Sequence, residues 1–294
     1  MNYIILVISL CLGVSKNLVS KAGKTVFDGI SNLMSANIIT ATLALVVFSI
    51  GGLNLSNLSI DVVLLALVYG LFTMGAQSLY ILAVKNGSVS ICSLVYASCF
   101  LIPTFFSIIV YDEPFSILKI VGIAVMLISI LMVSYRPKST DVSHMTRLSW
   151  FLIICSMISA GGVGILQKIV GNSSKNIGQS EFLFLSFGFM LMFSLLIKIL
   201  NSVKNKEKFI PNQKSFFLFA ALLAVSQVIA NRLNIFLVGV MPGMIFFPVI
   251  NGGTIIASSI GARVIFKEKL AKKQIFSFLL GFIAIVIIAV GQNI

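Results

Sequence analysis

The chain has 294 residues, 59% of them hydrophobic and only 10% charged, with a mean hydropathy of +1.10. Soluble domains are about a quarter charged, so this composition excludes a soluble globular protein. The formal net charge of +13 is dispersed over short polar breaks instead of gathered on one face, which excludes nucleic acid as a partner.

Between those breaks, apolar stretches of about 18 to 22 residues recur, the length an α-helix needs to cross a bilayer about 30 Å thick. Lipid offers the backbone no hydrogen bonds, so such stretches must be helices. Ten spans are predicted, at 3–21, 32–50, 61–83, 89–111, 115–135, 148–168, 180–200, 215–237, 243–265 and 273–292. The longest polar pieces, "RPKSTDVSHMTRLS" and "NSVKNKEKFIPNQKS", are too short and polar to hold a core of their own.

Span 1 lacks the basic start and the A-x-A-like site of a cleaved signal peptide and reads as a membrane span; its Lys16 reads as reaching toward Lys21 at the interface, the alternative being that Lys16 and Asn17 face a cavity shared with the other polar residues. Span 3 carries "GAQSLY", with Gln77 and Tyr80 on one helical face. Span 4 holds Tyr96, a residue able to line a cavity, and Pro103, which is expected to kink it. Asp112, Glu113 and Pro114 are expected to start span 5, where the exposed N–H groups favour carboxylates and proline loses no needed bond.

Glu181 reads as an N-terminal charge of span 7. Span 8 reads "QVIANRLN" and places Gln227, Asn231, Arg232 and Asn234 inside the membrane. Arg232 offers a fork of donors to a carboxylate or phosphate, or else extends to the near interface. Span 9 carries Pro248 followed by Asn251-Gly252-Gly253, a local break that can present main-chain groups to a ligand. Its small residues Gly253, Ala257 and Gly261 recur every fourth position and suit close helix packing.

Polar groups inside spans are costly unless they face other helices or a wet cavity. The expected substrate-binding residues are therefore Gln77, Tyr80, Tyr96, Gln227, Asn231, Arg232, Asn234 and Asn251. The cysteines, Cys11, Cys92, Cys99 and Cys155, all lie in spans and read as small apolar residues, while His144 reads as solvated in a loop. No phosphate-binding loop, HExxH or nucleophile elbow occurs, so neither ATP hydrolysis nor another enzymatic activity is expected, and no cofactor or metal site is predicted.

Seventeen of the 21 Lys and Arg fall at or after the ends of odd-numbered spans. The positive-inside rule then puts the odd loops in the cytoplasm and both termini outside. Aligning Glu113 with Glu268 keeps the two halves in step for roughly 40 residues, with "GAQSLYILAVKNGSVS" over "ANRLNIFLVGVMPGMI", Gln77 over Arg232 and Tyr96 over Asn251. "NLVSKA" at the end of span 1 lies over "GILQKI" at the end of span 6. Five helices is an odd number, so the second copy enters the membrane from the opposite side. The fold expected is an all-α integral membrane protein, ten transmembrane helices arranged as two five-helix inverted repeats.

Ten spans in 294 residues, with the loop E-x-[LF] recurring after spans 4 and 9 as Glu113-Pro114-Phe115 and Glu268-Lys269-Leu270, resemble the drug/metabolite transporter superfamily and its EamA-like proteins. The resemblance implies repeats over 1–138 and 139–294 that enclose a central cavity opening to alternate sides. It further implies a secondary transporter of small metabolites, with export of amino acids or related carboxylate-bearing compounds as the reading adopted. The chain departs from the family at Ser277, with the glycine later at Gly281. Span 1 also lacks the buried glutamate of small multidrug members, which argues against a cationic-drug antiporter.

The expected partners are a small-molecule metabolite and the lipid bilayer, with monomer and homodimer both open. Abundant Ile, Lys and Asn fit an AT-rich bacterial source, and the expected location is the bacterial inner, or plasma, membrane. The alternatives are a membrane-embedded enzyme, which would need clustered acids or histidines, and a non-transporting subunit of the same fold.

Overall fold

The computed structural model describes residues 2–23, 26–27, 29–50, 53, 59–113, 116–134, 145–173, 177–205, 214–267 and 272–291. Glu268, His144 and Pro114 lie outside them. The described residues are helical wherever a span was predicted, with boundaries shifted by a few residues. In chain order the helices are α1 (Asn2–Ala22), α2 (Ile30–Ile50), α3 (Ile60–Lys85), α4 (Val89–Ala97), α5 (Leu101–Tyr111), α6 (Ile117–Ser134), α7 (Arg147–Asn172), α8 (Gln179–Asn205), α9 (Lys214–Val240), α10 (Gly243–Phe247), α11 (Gly253–Phe266) and α12 (Lys272–Val290). Among the described residues, eight spans are long and apolar enough to cross a membrane, and Ile117–Met132 and Ile275–Ile288 add two shorter apolar helices. The chain is a multi-pass membrane protein.

Two spans are interrupted, each beside a proline. A 3-10 turn, Ser98–Phe100, joins α4 to α5 just before Pro103. Because Pro103 has no N–H, the Cys99 carbonyl cannot make its usual i+4 bond, and the chain tightens to i+3 bonding there. In span 9 a π turn, Pro248–Gly252, separates α10 from α11. The break expected at Pro248 is thus a widened turn that carries Asn251, whose Nδ2 donates to the Phe247 carbonyl at 3.0 Å.

The chain forms two compact units, Met1–Met74 with Ile169–Gly239 and Gly75–Lys168 with Val240–Ile294. Each draws helices from both halves of the sequence. In the first unit α2 packs along α8: Phe48 stacks on Phe187 at 6.2 Å, and the fully buried Lys198 donates to the Ser31 carbonyl at 3.0 Å and to Ser31 Oγ at 2.5 Å. Contacts that join the end of one helix to the start of the other make the pair antiparallel.

In the second unit α6 packs along α12 in the same sense. A Cβ on Gly122 would meet Ile288, while Ser129 Oγ donates to the Ser277 carbonyl at 2.7 Å. The family departure at Ser277 and Gly281 falls on this seam, where a Cβ at Gly281 would meet Ser129 Oγ at 2.8 Å. Loss of the buried Ser129 bond in Ser129→Ala is expected to cost about 1 kcal/mol, read as a lowered melting temperature in detergent.

These helix pairs are the second with the seventh span and the fifth with the tenth, the mates that the repeat alignment predicts. Antiparallel mates are what inversion of the second copy requires. Among the described residues the only non-glycine positions with positive φ are Asp112 (47°) and Lys267 (53°). They terminate α5 and α11 and stand 155 positions apart, the spacing of Glu113 and Glu268. The two corners are therefore built alike.

Candidate functional site

The first unit carries four of the expected residues, all half-buried on α9. At 3.6 residues per turn, Gln227, Asn231 and Asn234 share one face. Asn231 is held twice: the buried Tyr69 hydroxyl on α3 donates to its Oδ1 at 2.6 Å, and its Nδ2 donates to the Gln227 carbonyl at 2.9 Å. Asn234 Oδ1 accepts from Ser9 Oγ of α1 at 2.5 Å. Those bonds fix the orientation of both amides.

Arg232 lies about 100° around the helix from Asn231, and so off this face. Its Nη1 donates to Gln179 Oε1 at the start of α8, at 3.2 Å. Sequence neighbours had placed it between Asn231 and Asn234; the helical turn separates it from them. The guanidinium has a neutral partner there and keeps its remaining donors for other acceptors.

The second unit carries Gln77, Tyr80, Tyr96 and Asn251, also half-buried. It brings two of them together, since the Tyr80 and Tyr96 rings lie 5.0 Å apart. The Tyr80 hydroxyl shares a 2.8 Å hydrogen bond with Ser93 Oγ. Gln77 lies on α3 about one turn before Tyr80, and Asn251 sits in the π turn.

A buried ion pair in the second unit corrects one local expectation. Glu113 does not serve the start of α6, which begins only at Ile117. Its Oε1 accepts from Lys168 Nζ at 2.6 Å and from the Gly243 N–H at 2.9 Å, while Oε2 accepts from the Met244 N–H at 3.1 Å. The carboxylate therefore caps the start of span 9 and ties it to the end of span 6, using the N-terminal N–H groups that favour an anion. Lys168 Nζ also lies 5.5 Å from the centre of the Tyr111 ring.

Ser9, Tyr69 and this ion pair were not among the expected residues. Ser9 and Tyr69 could have been found as polar groups inside spans, but nothing in the sequence joins them to Asn234 and Asn231. Among the described residues no group of three or more His, Cys, Asp or Glu is placed to hold a metal ion.

Residues 2–135 match the family model described as the EamA-like transporter family. No curated protein matches the chain. A solved structure, described only as the crystal structure of a protein, is 13% identical and aligns over 99% of this chain and 98% of its own, with a TM-score of 0.74. At that identity the likeness carries the fold, which here extends over the whole chain.

Proposed function

We propose, on the match of residues 2–135 to the EamA-like transporter family model, that the chain is a membrane transporter and, within that class, a secondary active exporter of amino acids or related carboxylate-bearing metabolites. The observation that carries this reading is the antiparallel packing of repeat mates, α2 on α8 and α6 on α12. Inverted repeats are a recurrent architecture of secondary carriers, which expose one site alternately to the two membrane faces. The copies are 1–138 and 139–294, and the membrane is the bacterial plasma membrane.

Gln227, Asn231, Arg232 and Asn234 are proposed as substrate contacts of the first unit, and Gln77, Tyr80, Tyr96 and Asn251 of the second. Amides, phenols and a guanidinium held inside spans can replace the water that a polar metabolite gives up. A hydrogen bond from a charged donor contributes about 1.5–3 kcal/mol. On that scale Arg232→Ala is expected to weaken apparent substrate affinity about tenfold or more, measured by transport in vesicles with correctly inserted protein. Unchanged affinity would remove Arg232 from the site.

Counterflow of radiolabelled metabolites in proteoliposomes tests the function itself. Exchange of an unaltered carboxylate-bearing compound is the expected result. Chemical conversion of the compound would support a membrane-embedded enzyme, and neither exchange nor conversion would support a non-transporting subunit.

A further inference from the structure

We propose that Lys16, on α1, is the cation that anchors the carboxylate of the transported compound, on a polar stripe shared with Gln227, Asn231 and Asn234 of α9. This rests on the carrier reading above and adds to it a specific residue and a specific substrate group.

Lys16 and Ser9 are seven residues apart on α1, two turns, and so share one face. Ser9 is buried, and its hydroxyl meets Asn234 in the same compact unit. Successive spans alternate in direction, so α1, the first, and α9, the eighth, run oppositely. Seven residues beyond Ser9 on one helix then lie level with seven residues before Asn234 on the other, at Gln227. Lys16 thereby joins the face that already carries Gln227, Asn231 and Asn234, whereas Arg232 does not.

The alternative, a lysine extended to the near interface, conflicts with helix geometry. Lys16 lies six residues before the end of α1 at Ala22, about 9 Å inside it. Side chains on a helix lean toward its N-terminus, which for Lys16 means toward the middle of the membrane. A lysine that follows this lean carries its ammonium along the stripe, toward the level of Asn231.

The donor inventory then points to an anion. Lys16 is half-buried and, among the described residues, has neither a hydrogen-bond acceptor nor a carboxylate beside it. The Gln227 side-chain amide and the Asn234 Nδ2 likewise have no partner among the described residues. Asn231 is already fixed by Tyr69 and the Gln227 carbonyl and serves as the frame. One positive charge and two amide groups facing one stripe call for a group with two acceptor oxygens and a negative charge. A carboxylate has that form, and a charge inside the membrane needs such a partner.

The test uses the purified full chain, with the twenty amino acids and their matching carboxamides as probes. Thermal stabilisation in detergent reports binding, and counterflow in proteoliposomes reports transport. Stabilisation by acids at least tenfold more effective than by their amides, lost in Lys16→Gln and retained in Lys16→Arg, is expected. Lys16→Gln is also expected to be at least as heat-stable as the parent without ligand, because it removes an unpaired charge.

Three results overturn the proposal. Full acid-over-amide preference in Lys16→Gln overturns Lys16 as the anchor and leaves the carrier intact. Counterflow of amides as good as that of acids overturns the carboxylate requirement, again with a carrier remaining. No binding and no movement of any probe overturns both this proposal and the amino-acid export reading.

Discussion

Glu113→Ala and Lys168→Met are each expected to destabilise the protein by about 3–5 kcal/mol, whereas replacing both partners together, as Glu113→Gln with Lys168→Met, is expected to recover much of that loss. The pair is nearly enclosed, with side chains 10% and 5% exposed, and Glu113 also accepts two main-chain N–H groups at the start of α10. Removing Lys168 leaves a buried carboxylate short of its charge partner; removing Glu113 leaves a buried ammonium and two uncapped N–H groups. Melting in detergent reads the effect. High salt should change it little, because an enclosed pair is poorly screened. Losses below about 0.5 kcal/mol, the usual range for surface substitutions, would mean that the pair does not hold the end of span 6 to the start of span 9.

The second large effect is steric. A Cβ on Gly239 of α9 would meet the Gly171 carbonyl oxygen of α7, with the Gly171 carbonyl carbon at 2.9 Å and Cα at 3.2 Å. Every obstacle is backbone, so no side chain can turn aside. Ordinary overpacking costs about 1–3 kcal/mol, and a backbone clash exceeds it. Gly239→Leu is expected to abolish monodisperse folded protein in size-exclusion chromatography.

Gly188 of α8 supplies the control. A Cβ there meets only Leu45 Cδ2, at 3.9 Å. Gly188→Ala should be tolerated and, by helix propensity, gain up to about 1 kcal/mol. Equal tolerance at both positions would contradict the close approach of α7 and α9.

The spans were legible because lipid imposes one solution on an apolar stretch, and the observed helices begin and end within a few residues of the expected bounds. The inverted repeat was legible from its punctuation: the spacing that aligns Glu113 with Glu268 also separates the left-handed corners at Asp112 and Lys267. Long-range pairing was not legible. Glu113 finds Lys168 and Gly243, distant in sequence, and local composition favoured the helix that follows it instead.

Helix phase explains the remaining differences. Arg232 stands next to Asn231 in sequence yet lies on another face of α9, while Lys16, for which the sequence left both an outward and a cavity-facing reading open, shares its face with a serine bonded to Asn234. Tyr69 sits at an ordinary core position by sequence and acquires its meaning from the Asn231 side-chain Oδ1 to which it donates.

The central claim is that residues on the α9 stripe meet solution from alternate sides of the membrane. A single cysteine at Gln227, with Cys11, Cys92, Cys99 and Cys155 replaced, can be reacted with a membrane-impermeant thiol reagent from either face of sealed vesicles. Labelling from both faces, with substrate shifting reactivity from one face to the other, is the predicted result. Labelling from a single face under every condition, or from neither, would contradict a carrier.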